Sequence, residues 1–281
     1  MVMERKFACA DFSFPLLSHD QALDVIAILG FQGADIGLFG GRSHLRPEDV
    51  LEDIHNSARN LVSKLDKRNL KLADIFFIAA QDFQTLAANH PDRRERRKSR
   101  DFYLRILEFA LRCNARHLSG LPGTEWEGES FESSLERCSE ELAWRVEQAH
   151  QAGISFSVEA HLGSLVPTPS KVSQLVRMTP GLTLTLDYGH FTYQGIPDAE
   201  VEPLLVHASH FHARCACKSR LQSSFKHNTI DYTRILREMK RVNYSGCIGV
   251  EYVWIDWEHC NEVDNLSETI LLRDFLKAVD L

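Results

Sequence analysis

Four apolar runs in the second half of the chain each finish on a side chain that binds divalent metals. They are ISFSVEAH (154–161), LTLTLDYGH (182–190), ASHFHARC (208–215) and CIGVEYVW (247–254). Each reads as a buried strand, and each carries its carboxylate or imidazole late in that strand: Glu159, Asp187, His212 and Glu251. A carboxylate in such apolar company is costly unless a cation or hydrogen-bond donors meet it. The four therefore point to one metal site assembled from four successive parallel strands. Three oxygen donors and one imidazole suit a fairly hard divalent ion, Mn²⁺, Mg²⁺ or Co²⁺, with Zn²⁺ also accommodated. Each position has a plainer reading too: a salt bridge to an internal arginine for Glu159 and Glu251, and the N-cap of a following turn for Asp187.

The neighbours of these four extend the site. His161 follows Glu159 by two and shares its face nearer the rim, where it can bind substrate. His190, three beyond Asp187, is a second ligand, a substrate contact or a loop histidine. His210 and His212 flank Phe211 and point to one side of their strand. His210 then sits a layer deeper, as a core histidine, while Arg214 is one step higher, placed to pair with a ligand carboxylate or the substrate. Lys218, Arg220 and Lys226 follow in the loop, either recognising a phosphate or carboxylate or standing as exposed loop cations. Phe12, Phe14, Phe39 and Trp254 fall at upper strand ends, as the apolar wall of a pocket or as plain packing.

The elements that must position these residues alternate along the chain. Strands are predicted at 6–14, 33–39, 70–78, 116–121, 154–160, 182–188, 209–215 and 247–254. Helical periodicity occupies 20–29, 47–67, 92–112, 131–151, 170–178, 199–206, 230–242 and 264–279. Strands alternating with helices imply parallel βαβ units, and eight repeats imply a closed (β/α)₈ TIM barrel, in which the C-terminal strand ends converge on one pocket. Pro47, followed by Glu48 and Asp49, marks a helix start. Ser170 is expected to cap the helix after the fifth strand, and Gly153 and Gly181 to sit where helices end. No Gly/Ser-rich linker divides the chain, so one domain over 1–281 is expected. The basic run DRRERRKSR (92–100) lies on the first turns of a helix without interleaved aromatics, as a solvated helix face rather than a nucleic-acid contact.

Composition narrows the function classes. A 44% hydrophobic, 25% charged chain of 281 residues is that of a soluble globular protein. A formal net charge of −7 argues against a nucleic-acid backbone as the main partner. The seven cysteines form no regular framework. Cys215 and Cys217, spaced C-x-C on a predicted strand, are expected as free thiols in a reducing compartment. The first fourteen residues contain no signal-peptide core and no stretch approaches a membrane span, so a cytoplasmic protein without a membrane partner is expected.

In VEAH around Glu159, LDYGH around Asp187 and His190, HFHAR around His212 and VEY around Glu251, the chain resembles the xylose isomerase-like TIM-barrel superfamily, in particular its sugar-phosphate isomerase/epimerase branch. The resemblance spans the chain through its strand order and is most specific from about residue 154 onward. It implies one divalent metal ion held by Glu159, Asp187, His212 and Glu251. It also implies a small carbohydrate or polyol substrate whose adjacent oxygens chelate that ion. Glu159 and Glu251 then act as base and acid in either direction through an enediolate. His161, His190, Arg214, Lys218, Trp254 and Phe12 are the expected substrate contacts, and a homo-oligomer is the family's habit. Ketose 3-epimerases resemble one another in an arginine six residues beyond the metal-binding histidine, followed by a Gly-rich loop. Here that residue is Lys218 and the loop reads SRLQSSFKHNTIDY, which leaves the substrate open among keto-sugars, inositol-derived ketones, sugar acids and phosphorylated sugars. Three rival activities share the barrel: a dehydratase of hydroxy-keto acids or inositol-type rings, a sugar-binding barrel without turnover, and DNA hydrolysis of the endonuclease IV kind. The last needs further histidines on earlier strands, and the third strand, LKLADIFFI, supplies none.

Overall fold

The computed structural model describes residues 5–280, so residues 1–4 and 281 of the expected domain lie outside it. Eight parallel strands, β1 (Lys6–Ala10), β2 (Gly33–Phe39), β3 (Lys71–Ile78), β4 (His117–Gly120), β5 (Ser155–Glu159), β6 (Thr183–Asp187), β7 (Ala208–Ala213) and β8 (Cys247–Val250), pair in chain order and close from β8 back to β1. Around them run α1 (His19–Ile28), α2 (Pro47–Glu52), α3 (Ile54–Asp66), α4 (Arg93–Arg112), α5 (Phe131–Gln151), α6 (Pro169–Met178), α7 (Tyr188–Tyr193), α8 (Asp198–Val201), α9 (Tyr232–Arg241) and α10 (Asn265–Ala278). This is the expected (β/α)₈ barrel. No described helix is long and apolar enough to cross a membrane.

Strand alternation sorts the side chains into two cores. Outward residues such as Phe156 and Val158 of β5, Leu184 and Leu186 of β6 and Ile248 and Val250 of β8 pack against the helices in the main hydrophobic cluster. Inward positions are polar to an unusual degree. Ser119, Ser157 and Thr185 bond one another at 2.6–3.0 Å in the middle of the barrel. Below them His117 meets Asp74 at 2.7 Å, and His210 meets Asp35 at 3.0 Å. His210 is thus the deep core histidine of the sequence reading.

Several boundaries differ from expectation, each for a local reason. The first strand stops at Ala10 and gives way to a 3-10 turn at Asp11–Ser13, where the Asp11 carboxylate accepts from Gly37 N at 3.0 Å. The last strand stops at Val250, because Tyr252 N and Val253 N donate to the side chains of Ser13 and Gln222 instead of a neighbouring strand. The helix expected over 47–67 breaks at Asp53, whose carboxylate caps α3 through Asn56 N. Ser170 is not a cap: the N-cap position of α6 is Thr168, without a side-chain bond, and Pro169 opens the helix. The strand expected to reach residue 215 ends at Ala213, so the C-x-C pair lies in the loop beyond it, both thiols free. The basic run forms the start of α4, and two of its arginines, Arg96 and Arg100, turn inward to Glu141 of α5.

Candidate metal centre and its cavity

Glu159 ends β5 and Asp187 ends β6; His212 lies within β7, and Glu251 and Arg214 follow the last residues of β8 and β7. All five are inward-facing by strand alternation, and each is at most 4% exposed. His212 Nδ1 lies 2.7 Å from Glu159 Oε1 and 3.3 Å from Glu251 Oε2. Arg214 grips Asp187 Oδ2 through Nε at 2.8 Å and through Nη2, and the same Nη2 donates to Glu251 Oε2 at 2.8 Å. Asp187 Oδ1 accepts from Gly189 N at 2.7 Å and so caps α7, a short helix that the helical periodicity does not predict. The plainer readings are met: Asp187 is an N-cap, and Glu251 pairs with an internal arginine.

Charge and burial set the protonation of this cluster. Burial opposes charge on His212, but Glu251, Glu159 and Asp35 outweigh it and lift the imidazole to about 10. Burial raises Glu251 to about 7 against the pull of Arg214 and His212. Burial would raise Glu159 as well, but its hydrogen bond to His212 wins and holds the carboxyl below its ordinary value. Burial, aided by the Arg214 charge, keeps His190 well below the ordinary imidazole value, and burial lowers His161 too. Both histidines are therefore neutral groups that can exchange hydrogen bonds with sugar oxygens without adding charge.

The donor set fits a divalent ion. Ligand atoms of Glu159, His212 and Glu251 lie within 4.8 Å of one another, and Glu159 shares a second such group with Asp187 and His190. Oxygen-rich donors with one or two imidazoles are those of Mn²⁺, Mg²⁺, Co²⁺ or Zn²⁺ sites. His190 joins the expected four as an available ligand. A third group, Asp35, His210 and His212, lies beneath. There His212 Nε2 faces Asp35 at 3.9 Å and has no hydrogen-bond partner.

A cavity of about 640 Å³ opens above the cluster, lined by Glu159, His161, His190, Arg214 and Glu251 on one side. Its other side is aromatic: Phe12 meets Phe39 edge-on at 4.8 Å, Phe39 meets Phe76 at 5.3 Å, and Phe76 lies 5.7 Å from the His212 ring. Trp254, 41% exposed, and Trp257 line the mouth with Phe83. Of the expected contacts, Phe12, His161, His190, Arg214 and Trp254 line the cavity. Phe14 packs in the outer core. Lys218 is placed elsewhere: the Ser219 N bond to Tyr193 O carries its loop over the turn after α7, where the lysine stem faces Gly195. Phe76, Phe83, Trp257 and Arg42 were not expected. Asp35 and Asp74 carried a usable signal, since each is a carboxylate inside an apolar strand, the same pattern that singled out Glu159.

Comparison with known proteins follows the same lines. The family model described as xylose isomerase-like TIM barrel matches residues 23–278. No curated protein sequence matches the chain. D-psicose 3-epimerase from Clostridium cellulolyticum H10, solved with D-tagatose, superposes with a TM-score of 0.78 at 14% identity, over 98% of this chain and 99% of that one. The 3-keto-D-glucoside 4-epimerase of E. coli gives a TM-score of 0.73 at 12% identity, over 98% and 99% of the two chains. An AP endonuclease, family 2, from Brucella melitensis gives 0.72 at 20% identity, over 99% and 100%.

Proposed function

From the premise that the chain belongs to the xylose isomerase-like TIM-barrel family, we propose that it is a divalent-metal-dependent isomerase or epimerase. Its substrate would be a small sugar, keto-sugar or polyol derivative, and its reaction the movement of a proton next to a carbonyl. The observation that carries the reading is the meeting of Glu159 and Glu251 on one imidazole, facing an aromatic wall of the same cavity. The two sugar epimerases of the same fold support it, as proteins whose substrates are a ketohexose and a keto-glucoside.

A divalent ion, when bound by Glu159, Asp187, His212 and Glu251, supplies Lewis acidity to a neighbouring carbonyl. The chain's own residues do the rest. Glu159 and Glu251 come from β5 and β8, so a substrate seated between them presents a C–H bond to one carboxylate while the other can return the proton. In the metal-free protein Arg214, itself held by Asp187, fixes Glu251 from one side, and His212 faces it from the other. His161 and His190, neutral and at the rim, orient hydroxyl groups. Phe12, Phe39 and Phe76 take up the apolar face of the sugar and keep water from the carbon that has lost its proton.

Incubation of the protein with Mn²⁺ in D₂O, with a panel of ketohexoses and keto-glycosides, tests the reading. Solvent deuterium should enter the carbon next to the carbonyl, with an epimer or isomer as product. Loss of water instead would identify a dehydratase. Tight binding of a panel sugar without exchange would identify a sugar-binding barrel and overturn the proposal.

A further inference from the structure

The Arg214 guanidinium stands between two of the four side chains proposed as ligands. Its Nη2 donates to Asp187 Oδ2 and to Glu251 Oε2 at once, and its Nε holds the same Asp187 oxygen at 2.8 Å. Nη2 is also 3.5 Å from His190 Nε2. A cation bridging two carboxylates over such distances fills the place an ion coordinated by both would take. We propose that Arg214 is a resident counter-cation of the centre, which holds Asp187 and Glu251 in the metal-free protein and is exchanged for the divalent ion on loading. The inference rests on the four-residue metal site proposed above.

Charge accounting supports it. Three buried carboxylates, Glu159, Asp187 and Glu251, share a single buried guanidinium, Arg214, and one imidazole, His212. Without Arg214, Asp187 keeps the Gly189 N–H at one oxygen and His190 Nε2 3.6 Å from the other, and a buried anion that has lost its guanidinium is strongly destabilising. The exchange also has room. Arg214 already lines the cavity of about 640 Å³. Gly189 leaves its stem free: a side chain there would crowd Arg214 Cγ and Cδ at 3.3 and 3.4 Å. Displaced from Asp187 and Glu251, the guanidinium moves toward the substrate's oxygens.

The test uses the full chain with Arg214→Met, which keeps the stem, and Arg214→Lys, which keeps the charge but cannot fork. Thermal midpoints are measured in EDTA and in saturating Mn²⁺, and Mn²⁺ affinity by titration calorimetry. In EDTA the methionine variant should lose roughly 6–10 °C. In Mn²⁺ the loss should shrink to about 2 °C or less, with Mn²⁺ bound at least about tenfold more tightly than by the parent. The lysine variant should fall between. A methionine variant that folds only with Mn²⁺ would be the same result in its extreme form. Equal losses with and without Mn²⁺, or unchanged affinity, would overturn the exchange and leave the metal site standing. Failure of the parent and both variants to bind Mn²⁺ would overturn both.

Discussion

Gly249 of β8 is a sensitive position outside the proposed ligands. It faces His212 across the β7–β8 register and lies two residues before Glu251. A Cβ there would stand 1.9 Å from Asp35 Oδ2 and 3.1 Å from His210 Nε2. Ordinary contact begins at 3.4 Å, so the Gly249→Ala change pushes the carboxylate by about 1.5 Å (3.4 Å less 1.9 Å) in a close-packed interior. Asp35 is fully buried, and moving it breaks its 3.0 Å bond to His210. Leaving a buried carboxylate without its hydrogen-bond partner costs about 3 kcal/mol, which for a chain of this size lowers the thermal midpoint by roughly 6 °C. Because His212 is the register partner, the proposed metal centre shifts too, and displaced support of a ligand costs roughly 10–100-fold in metal affinity. The control is Gly128→Ala, where φ is +79° and no atom lies within 4 Å of the new Cβ, so only about 1–2 kcal/mol of backbone strain is incurred. Urea unfolding and Mn²⁺ titration of the two variants provide the comparison. If Gly249→Ala proved as stable as the control and bound Mn²⁺ like the parent, the reasoning that the Asp35–His210 layer supports the centre would be wrong.

Other predictions follow from the same geometry. Glu159→Gln and Glu251→Gln should each lower deuterium wash-in by about 10²–10⁴-fold while circular dichroism shows an intact barrel; full exchange in either would remove that residue from proton transfer. His212 titrates at about 10 in the metal-free protein, above its ordinary 6.5. The stability it contributes is therefore complete below about pH 6.5 and lost as pH rises through about 10. Thermal midpoints in EDTA should fall over that window, and His212→Gln should flatten the slope. Trp254→Ala should raise KM, because the ring lines the cavity mouth, whereas Lys218→Ala should leave KM unchanged within about twofold, because the lysine faces Gly195. A large KM effect at Lys218 would mean that its loop rearranges over the cavity.

Strand and helix identity were legible where a single periodicity held. Strand β2 and helix α5 fall at 33–39 and 131–151 as the apolar pattern predicts. Errors gathered at the upper strand ends, where partners arrive from far along the chain. The Asp11 carboxylate takes Gly37 N, and Ser13 Oγ takes Tyr252 N, so β1 and β8 end early. Glu159, Asp187, His212 and Glu251 stood out because each interrupts an apolar run. Asp35 and Asp74 interrupt theirs as well but sit mid-strand; the partner of Asp74, His117, lies on the neighbouring β4, and that of Asp35, His210, lies on β7 across the barrel. The aromatic wall was only half legible, since Phe76, Phe83 and Trp257 meet the site through barrel closure and loop paths rather than through spacing. Lys218 failed for the same reason: a residue count beyond His212 does not fix where a loop runs.

The most direct test of the metal centre is the metal content of the purified full chain after reconstitution with Mn²⁺, beside Glu251→Gln and His212→Ala. The centre described here predicts about one divalent ion per chain in the parent, with that ion lost or weakened at least tenfold in both variants. No bound ion in the parent after Mn²⁺, Mg²⁺, Co²⁺ or Zn²⁺, or an ion held equally well by the variants, would contradict it.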